Sequence, residues 1–361
     1  MVPFLDVRRG YDGLKDEIDA AVGRVLASGQ YIGGPEVAAF EAAFADYSET
    51  AHAVGVGNGL DAIRLVLMAQ GIGPGDDVLV PSNTFVATWL AVSQVGANPV
   101  PVEPDPATHN IDADGVAEAM TGNTRAVIAV HLYGCPAPID AIVELARARD
   151  LLVIEDAAQA HGARLNGRRI GGASHAATWS FYPGKNLGAF GDGGAVTTND
   201  PVLADRIRLL GNYGSKERYV HVAPGLNSRL DPIQAAILGV KLTHLDAWNE
   251  RRREIAARYA RGLANSGLTL PETPGGAEPV HHLYVVRTPQ RAALQGWLAD
   301  QGVETLIHYP CPPHKQAAYA SGADLPIAED LADEVLSLPI GPHMRDDEVT
   351  RVIDAVNAFP G

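Results

Sequence analysis

Positive charge is in short supply: 28 Lys and Arg stand against 43 Asp and Glu among 361 residues, a formal net charge of -15 at pH 7. That balance opposes the attraction on which non-specific binding of nucleic acid depends, so no nucleic-acid partner is expected. Cysteine is scarcer still. Cys135 and Cys311 are the only two and lie far apart, which leaves no disulfide framework and no metal-type spacing, and no metal site is expected. A reducing, cytoplasmic setting follows. Long apolar runs are also missing, so no membrane span is expected. The stretch Met1–Gly13 mixes Pro3, Asp6, Arg8 and Arg9 with few apolar residues, unlike the apolar core of a signal peptide. Internal repeats and low-complexity tracts are absent. What is present is a globular composition, 46% hydrophobic and 20% charged.

From about residue 50 to 240, short apolar runs alternate with helical patterns, the mark of an α/β fold with a mostly parallel sheet covered on both faces. Strands are predicted at Asp77–Val80, Pro99–Glu103, Ala126–Leu132, Leu151–Asp156, Ala177–Phe181 and Ala195–Thr198. Helices are predicted between them, for example Leu60–Gln70, Pro138–Ala148 and Pro201–Leu210. The stretch Asp231–Leu263 carries one long helical pattern, and the domain change is placed within it: 1–245 as the large domain with the N-terminal segment, 246–361 as the small one. The small domain is read as α+β from His281–Val286, Arg291–Gln301, Val303–Ile307 and Asp346–Ala358, entered through the Pro/Gly-rich Pro271–Pro279.

Open parallel sheets bind ligands outside the carboxyl ends of their strands, and two such ends carry chemistry-bearing residues. Glu155-Asp156 closes one apolar run, with Gln159 and His161 in the loop that follows. Asp156 suits a partner for a protonated ring nitrogen, and suits a helix cap or a metal ligand equally well. The next strand runs into Ser180-Phe181-Tyr182-Pro183-Gly184-Lys185-Asn186, then into the glycine-rich Gly188–Gly194. A lysine nucleophile needs a fixed position and a lowered pKa, which a tight turn at a buried strand end supplies. An ordinary surface lysine is the competing reading of Lys185. Ser180 offers a hydroxyl for a phosphate oxygen. Gly57-Asn58-Gly59 opens a helix whose free N–H groups favour an anion, although no dinucleotide fingerprint fits, since Asp61 and Ala62 follow Gly59. Phe85 follows a strand and suits stacking on a flat ring, or simply the core.

Taken together, Gly57-Asn58-Gly59, Thr84-Phe85, the run Glu155–Gly162 and the run Ser180–Gly188 resemble the DegT/DnrJ/EryC1/StrS family of sugar aminotransferases. The resemblance continues through Gly191-Asp192-Gly193-Gly194, Asn212-Tyr213-Gly214-Ser215, Asn227-Ser228-Arg229-Leu230-Asp231 and His308-Tyr309-Pro310, nearly the whole chain in the family's order.

The resemblance implies a fold-type I architecture, pyridoxal 5'-phosphate as cofactor and a homodimer with shared active sites. Lys185 then matches the Schiff-base lysine, Asp156 the partner of the pyridinium, Gln159 the contact to the ring hydroxyl and Phe85 the stacking aromatic. Ser180 with Asn58 and Gly59 matches the phosphate contacts, and Asn227 a phosphate ligand given to the other subunit. Related sugar dehydratases have His in place of the lysine, so Lys185 points to transamination. The runs at Asn212, Asn227 and His308 look most like enzymes that aminate C3 of dTDP-3-keto-6-deoxyhexoses, with L-glutamate as donor. Gly211 departs from that pattern, in which arginine is common before Asn-Tyr-Gly. Tyr182, Lys216, Tyr219, Arg229, His308 and Tyr309 are candidate contacts to the nucleotide sugar, with Arg218 a further cation; singly, each reads as well as a solvated side chain. The alternatives are a C4 sugar aminotransferase or sugar dehydratase of the same family, or a non-catalytic regulator that binds the cofactor. A regulator would be expected to carry an appended DNA-binding segment, and neither terminus offers one.

Overall fold

The computed structural model describes residues 1–264, 266–320 and 322–360. Its centre is a seven-stranded sheet made of β1 (His52–Val56), β2 (Asp77–Pro81), β3 (Asn98–Val102), β4 (Thr124–Val130), β5 (Leu152–Asp156), β6 (Ala176–Ser180) and β7 (Gly194–Thr198). The spatial order is β1-β7-β6-β5-β4-β2-β3. β7 runs antiparallel to its two neighbours and every other pair is parallel. Parallel strands connected by helices are buried on both sides, which is why these segments read as unbroken apolar runs.

Alternation along each strand divides the core in two. Leu79, Val127, Ala129, Val153, Ala177, Trp179 and Ala195 enter one cluster. Val78, Val80, Ala126, Ile128, Ile154, Ala176 and Val196 enter the other, across the sheet. A third core gathers Ile255, Tyr259, Tyr284, Val286, Leu298, Leu336, Leu338, Val349 and Val352, and Val2 from the N-terminus joins it. Its two strands, Tyr284–Arg287 and Val335–Leu338, pair antiparallel.

Two predicted features differ. The stretch Asp231–Leu263 is two helices, Pro232–Leu242 and Leu245–Gly262, broken at Thr243 and His244. Leu242 and Leu245 are both buried, so apolar spacing continues across the break and hides it. Val303–Ile307, read as one segment of the small α+β domain, pairs only through single bridges, Val303 to Val2 and Leu306 to Ser337. No helix among the described residues is long and apolar enough to cross a membrane.

Candidate active site

β5 delivers Asp156 at its carboxyl end, 6% exposed. Its Oδ2 accepts from Thr88 Oγ1 at 2.9 Å and its Oδ1 from the Ala158 N–H at 3.2 Å. Burial pushes the Asp156 pKa up, while these two bonds and the charge of Lys185 oppose the shift. Glu155, one residue earlier, serves structure instead. Its carboxylate meets His131 Nε2 at 3.1 Å and takes two bonds from Ser174. His131 Nδ1 accepts the Ala137 N–H, so the His131 proton sits on Nε2 and is given to Glu155. Burial alone would raise the Glu155 pKa; the bonds from His131 and Ser174 outweigh it and hold the group below the usual range.

β6 delivers Ser180 and then the turn that carries Lys185. The turn closes through Lys185 N–H to Tyr182 O and Ala189 N–H to Phe181 O, both 2.8 Å. Lys185 is half-buried, and the loss of solvation lowers its pKa to about 8, against the pull of Asp156. Its free-amine fraction therefore rises as pH passes through that value. In cofactor-free protein, labelling of Lys185 by an amine-directed reagent is expected to show a midpoint near pH 8, read by peptide mapping across a pH series. A midpoint in the ordinary lysine range near 10.5 would mean the amine is solvated.

Ser180 lies against the start of the helix Gly59–Ala69. A Cβ on Gly59 would come within 2.7 Å of Ser180 Cβ, so only glycine allows this approach. The Asn58 side chain caps its own helix, its Oδ1 accepting the Asp61 N–H at 2.8 Å. What this corner presents to an anion is the Ser180 hydroxyl beside a helix N-terminus.

Gln159 is held at both ends. Its Oε1 accepts the Tyr133 N–H at 2.6 Å and its Nε2 donates to the Tyr309 hydroxyl at 3.1 Å. Phe85, 53% exposed, lies with its ring centroid 5.4 Å from that of Tyr309. His308 bonds Ser337 Oγ at 2.8 Å through Nδ1; burial, aided by the Lys185 charge, lowers its pKa to about 4. The His161 ring is fully buried beside Trp179, and burial lowers its pKa to about 3.

The remaining predicted contacts are more exposed or are bonded elsewhere in the chain. Lys216 and Tyr219 sit on a short exposed hairpin, Ser215–Glu217 with Val220–His221. Among the described residues no hydrogen bond or ring contact joins it to Lys185, Asp156 or Gln159. Tyr182 is 61% exposed. Arg229 donates to Asn212 Oδ1 at 2.8 Å and to exposed Asn227 Oδ1 at 2.7 Å, so its fork already grips two amides of its own chain. Gly211 has a local reason: a Cβ there would come 2.7 Å from Ser228 O, which leaves no room for an arginine.

Sequence reasoning gave no role to Thr88, Tyr133, Asn186 or His282. Only Thr88 had a local signal, its one-turn spacing from Thr84, with which it shares a 3.3 Å contact.

The DegT/DnrJ/EryC1/StrS aminotransferase family model matches residues 12–357. The chain is 56% identical to a dTDP-3-amino-3,4,6-trideoxy-alpha-D-glucose transaminase of Streptomyces venezuelae, over 99% of this chain and 96% of the relative. It is 51% identical to a dTDP-3-amino-3,6-dideoxy-alpha-D-galactopyranose transaminase of Aneurinibacillus thermoaerophilus, over 99% of each. Among solved structures, S. venezuelae DesV in complex with a ketimine intermediate superposes with a TM-score of 0.97 at 55% identity, covering 99% of this chain and 97% of that one. The chain therefore belongs to the DegT/DnrJ/EryC1/StrS aminotransferase family, whose enzymes use pyridoxal phosphate.

Proposed function

We propose that this enzyme transfers an amino group from an amino-acid donor, L-glutamate, to the C3 keto carbon of a dTDP-linked 3-keto-6-deoxyhexose, in deoxyaminosugar biosynthesis. The observation that carries the reading is a lysine with a lowered pKa and a buried carboxylate at adjacent strand ends, in a chain similar along its full length to transaminases named for dTDP-3-amino sugars.

The residues fit pyridoxal phosphate. Asp156 is a buried carboxylate in need of a cation, Ser180 and Gly59 form a close-packed corner suited to the phosphate, and Phe85 has an exposed face for the ring. When bound, the cofactor supplies an electron-withdrawing ring that stabilises a carbanion at the carbon that loses or gains the amine. Asp156 holds the proton on the ring nitrogen, which keeps that ring withdrawing. Gln159, its orientation fixed by Tyr133 and Tyr309, would give its remaining amide hydrogen to the ring hydroxyl. Lys185 Nζ holds the cofactor covalently at rest. Once released, it would as a free amine take the proton from the donor's α-carbon and pass it to the cofactor carbon that keeps the amine, and would carry a proton by the reverse path to the sugar's C3. Tyr182, Lys216, Tyr219, Arg229, His308 and Tyr309 are the residues we assign to the nucleotide sugar. A cytoplasmic location suits the two free cysteines.

We further propose a homodimer in which Asn227 serves the neighbouring subunit's cofactor. Asn227 is exposed yet fixed by Arg229, and Tyr182, Tyr213, Tyr219 and Val222 leave apolar surface open in one chain. Mixing Lys185→Ala with Asn227→Ala subunits places both lesions in one site of the heterodimer and leaves the other intact. Partial recovery of activity is expected; none, despite proven subunit exchange, would put Asn227 outside the neighbour's site.

The function is tested with ¹⁵N-glutamate and a panel of dTDP- and UDP-linked keto sugars, with the label located by NMR. Label at C3 of a dTDP sugar is expected. Label at C4, or on UDP sugars alone, would overturn the assignment.

A further inference from the structure

Asn186 follows Lys185 directly, and its side chain, 6% exposed, has three partners from two other parts of the chain. Its Nδ2 faces Asn249 Oδ1 at 3.0 Å and Val280 O at 3.1 Å, and its Oδ1 faces His282 Nδ1 at 3.1 Å. Asn249 belongs to the helix Leu245–Gly262, while Val280 and His282 lead into the strand Tyr284–Arg287.

Two backbone carbonyls fix every proton in this cluster. A carbonyl only accepts, so the Asn186 atom that meets Val280 O must be the amide nitrogen. The Asn249 atom 2.8 Å from His161 O must likewise be its nitrogen, which turns its oxygen to Asn186. Asn186 therefore offers His282 its oxygen, and His282 must carry its proton on Nδ1. The other ring nitrogen, Nε2, is left bare.

The His282 segment is itself clamped. Arg252, 3% exposed, donates to His281 O at 3.1 Å, His282 O at 3.3 Å and Ile340 O at 3.2 Å. Val280 N–H bonds Gly134 O at 3.0 Å and Leu283 N–H bonds Tyr133 O at 3.3 Å, beside the residue that orients Gln159.

We propose that His282 is a positioning residue for Lys185: its Nδ1–H grips the Asn186 amide and so ties the lysine's turn to the segment that enters the third core. This rests on the reading that Lys185 carries the reaction. The groups whose charge states are coupled to Lys185 are Asp156 on β5, His161 in the following loop, His282, and His308 in the third-core segment. All three imidazoles are held neutral, chiefly by burial, so Asp156 is the charge that faces the ammonium. A loosened turn would expose the ammonium to water and raise the lysine's pKa.

Imidazole ¹⁵N NMR of the full-length protein reads the tautomer, with the His282 signals assigned by their loss in His282→Asn. A neutral ring protonated on Nδ1 at neutral pH is expected; a ring protonated on Nε2, or a charged one, would overturn the proposal. This readout needs neither cofactor nor turnover, so its failure is distinct from failure of the amino-transfer reading. The variants test the consequence. An asparagine amide can stand in for the Nδ1–H, whereas leucine cannot. On adding pyridoxal phosphate to cofactor-depleted protein at pH 8, the visible band is expected to develop about fivefold more slowly in His282→Leu, the fall in free amine for a rise of about one pKa unit at Lys185 from its value of about 8. His282→Asn is expected to restore the rate. Equal slowing in both variants, or none in His282→Leu, would reduce His282 to packing.

Discussion

Replacing Lys185 by Ala is expected to abolish the visible absorption of the cofactor-loaded protein and any borohydride-reducible bond to it, while the far-UV circular dichroism stays unchanged. In the proposed mechanism the amine is both the attachment point and the proton carrier, and no other side chain in the turn can take either part. Turnover should fall roughly a hundredfold to ten-thousandfold, the range that positioned acid–base groups supply. At pH 8 a lysine with a pKa of about 8 is half free amine. An ordinary lysine near 10.4 would hold roughly a hundredfold less, so moving the amine elsewhere would not compensate. The side chain is half-buried, and its loss should cost little stability. A Lys185→Ala protein that still formed a reducible bond would place the nucleophile on another lysine.

Asp156→Asn is expected to bind the cofactor and lose at least about a hundredfold in turnover, on the scale of removing one well-placed electrostatic partner. The amide keeps the shape and still accepts from Thr88 through its oxygen, but it has no charge with which to hold the ring-nitrogen proton. Burial makes the loss larger than an exposed pair would show, because little water stands ready to replace the charge. Both half-reactions should slow together, since both need the same electron sink. Near-normal single-turnover rates in either half would remove Asp156 from that role and leave it as a buried partner of Thr88.

The large sheet was legible because buried parallel strands announce themselves as apolar runs, and the observed ends of β2 to β7 lie within two residues of the predicted ones. The break at Thr243 was not legible, since nothing in its local sequence interrupts the apolar spacing. The bridges of Val303 and Leu306 were not legible either, since their partners Val2 and Ser337 come from distant segments. In the candidate site, the strand ends and the Gly/Pro turn that carry Asp156 and Lys185 were legible in the sequence. The supports of those two residues were not. Thr88 reaches Asp156 across 68 residues, Asn249 reaches Asn186 across 63 and His282 reaches it across 96, and no local pattern encodes such pairings. Arg229 was read as a candidate contact to the nucleotide sugar, and its bonds to Asn212 and Asn227 are visible only in the fold.

A second lysine sharpens the central assignment. Lys241 is buried and burial also lowers its pKa to about 8, but its ammonium donates to Gly188 O at 2.6 Å. A lowered pKa therefore does not by itself select the nucleophile; position beside Asp156 does. The decisive measurement is borohydride reduction of the cofactor-loaded protein followed by mass-spectrometric mapping of the modified peptide. The account expects a single reduced adduct on Lys185, and an adduct on Lys241 or any other lysine would contradict it.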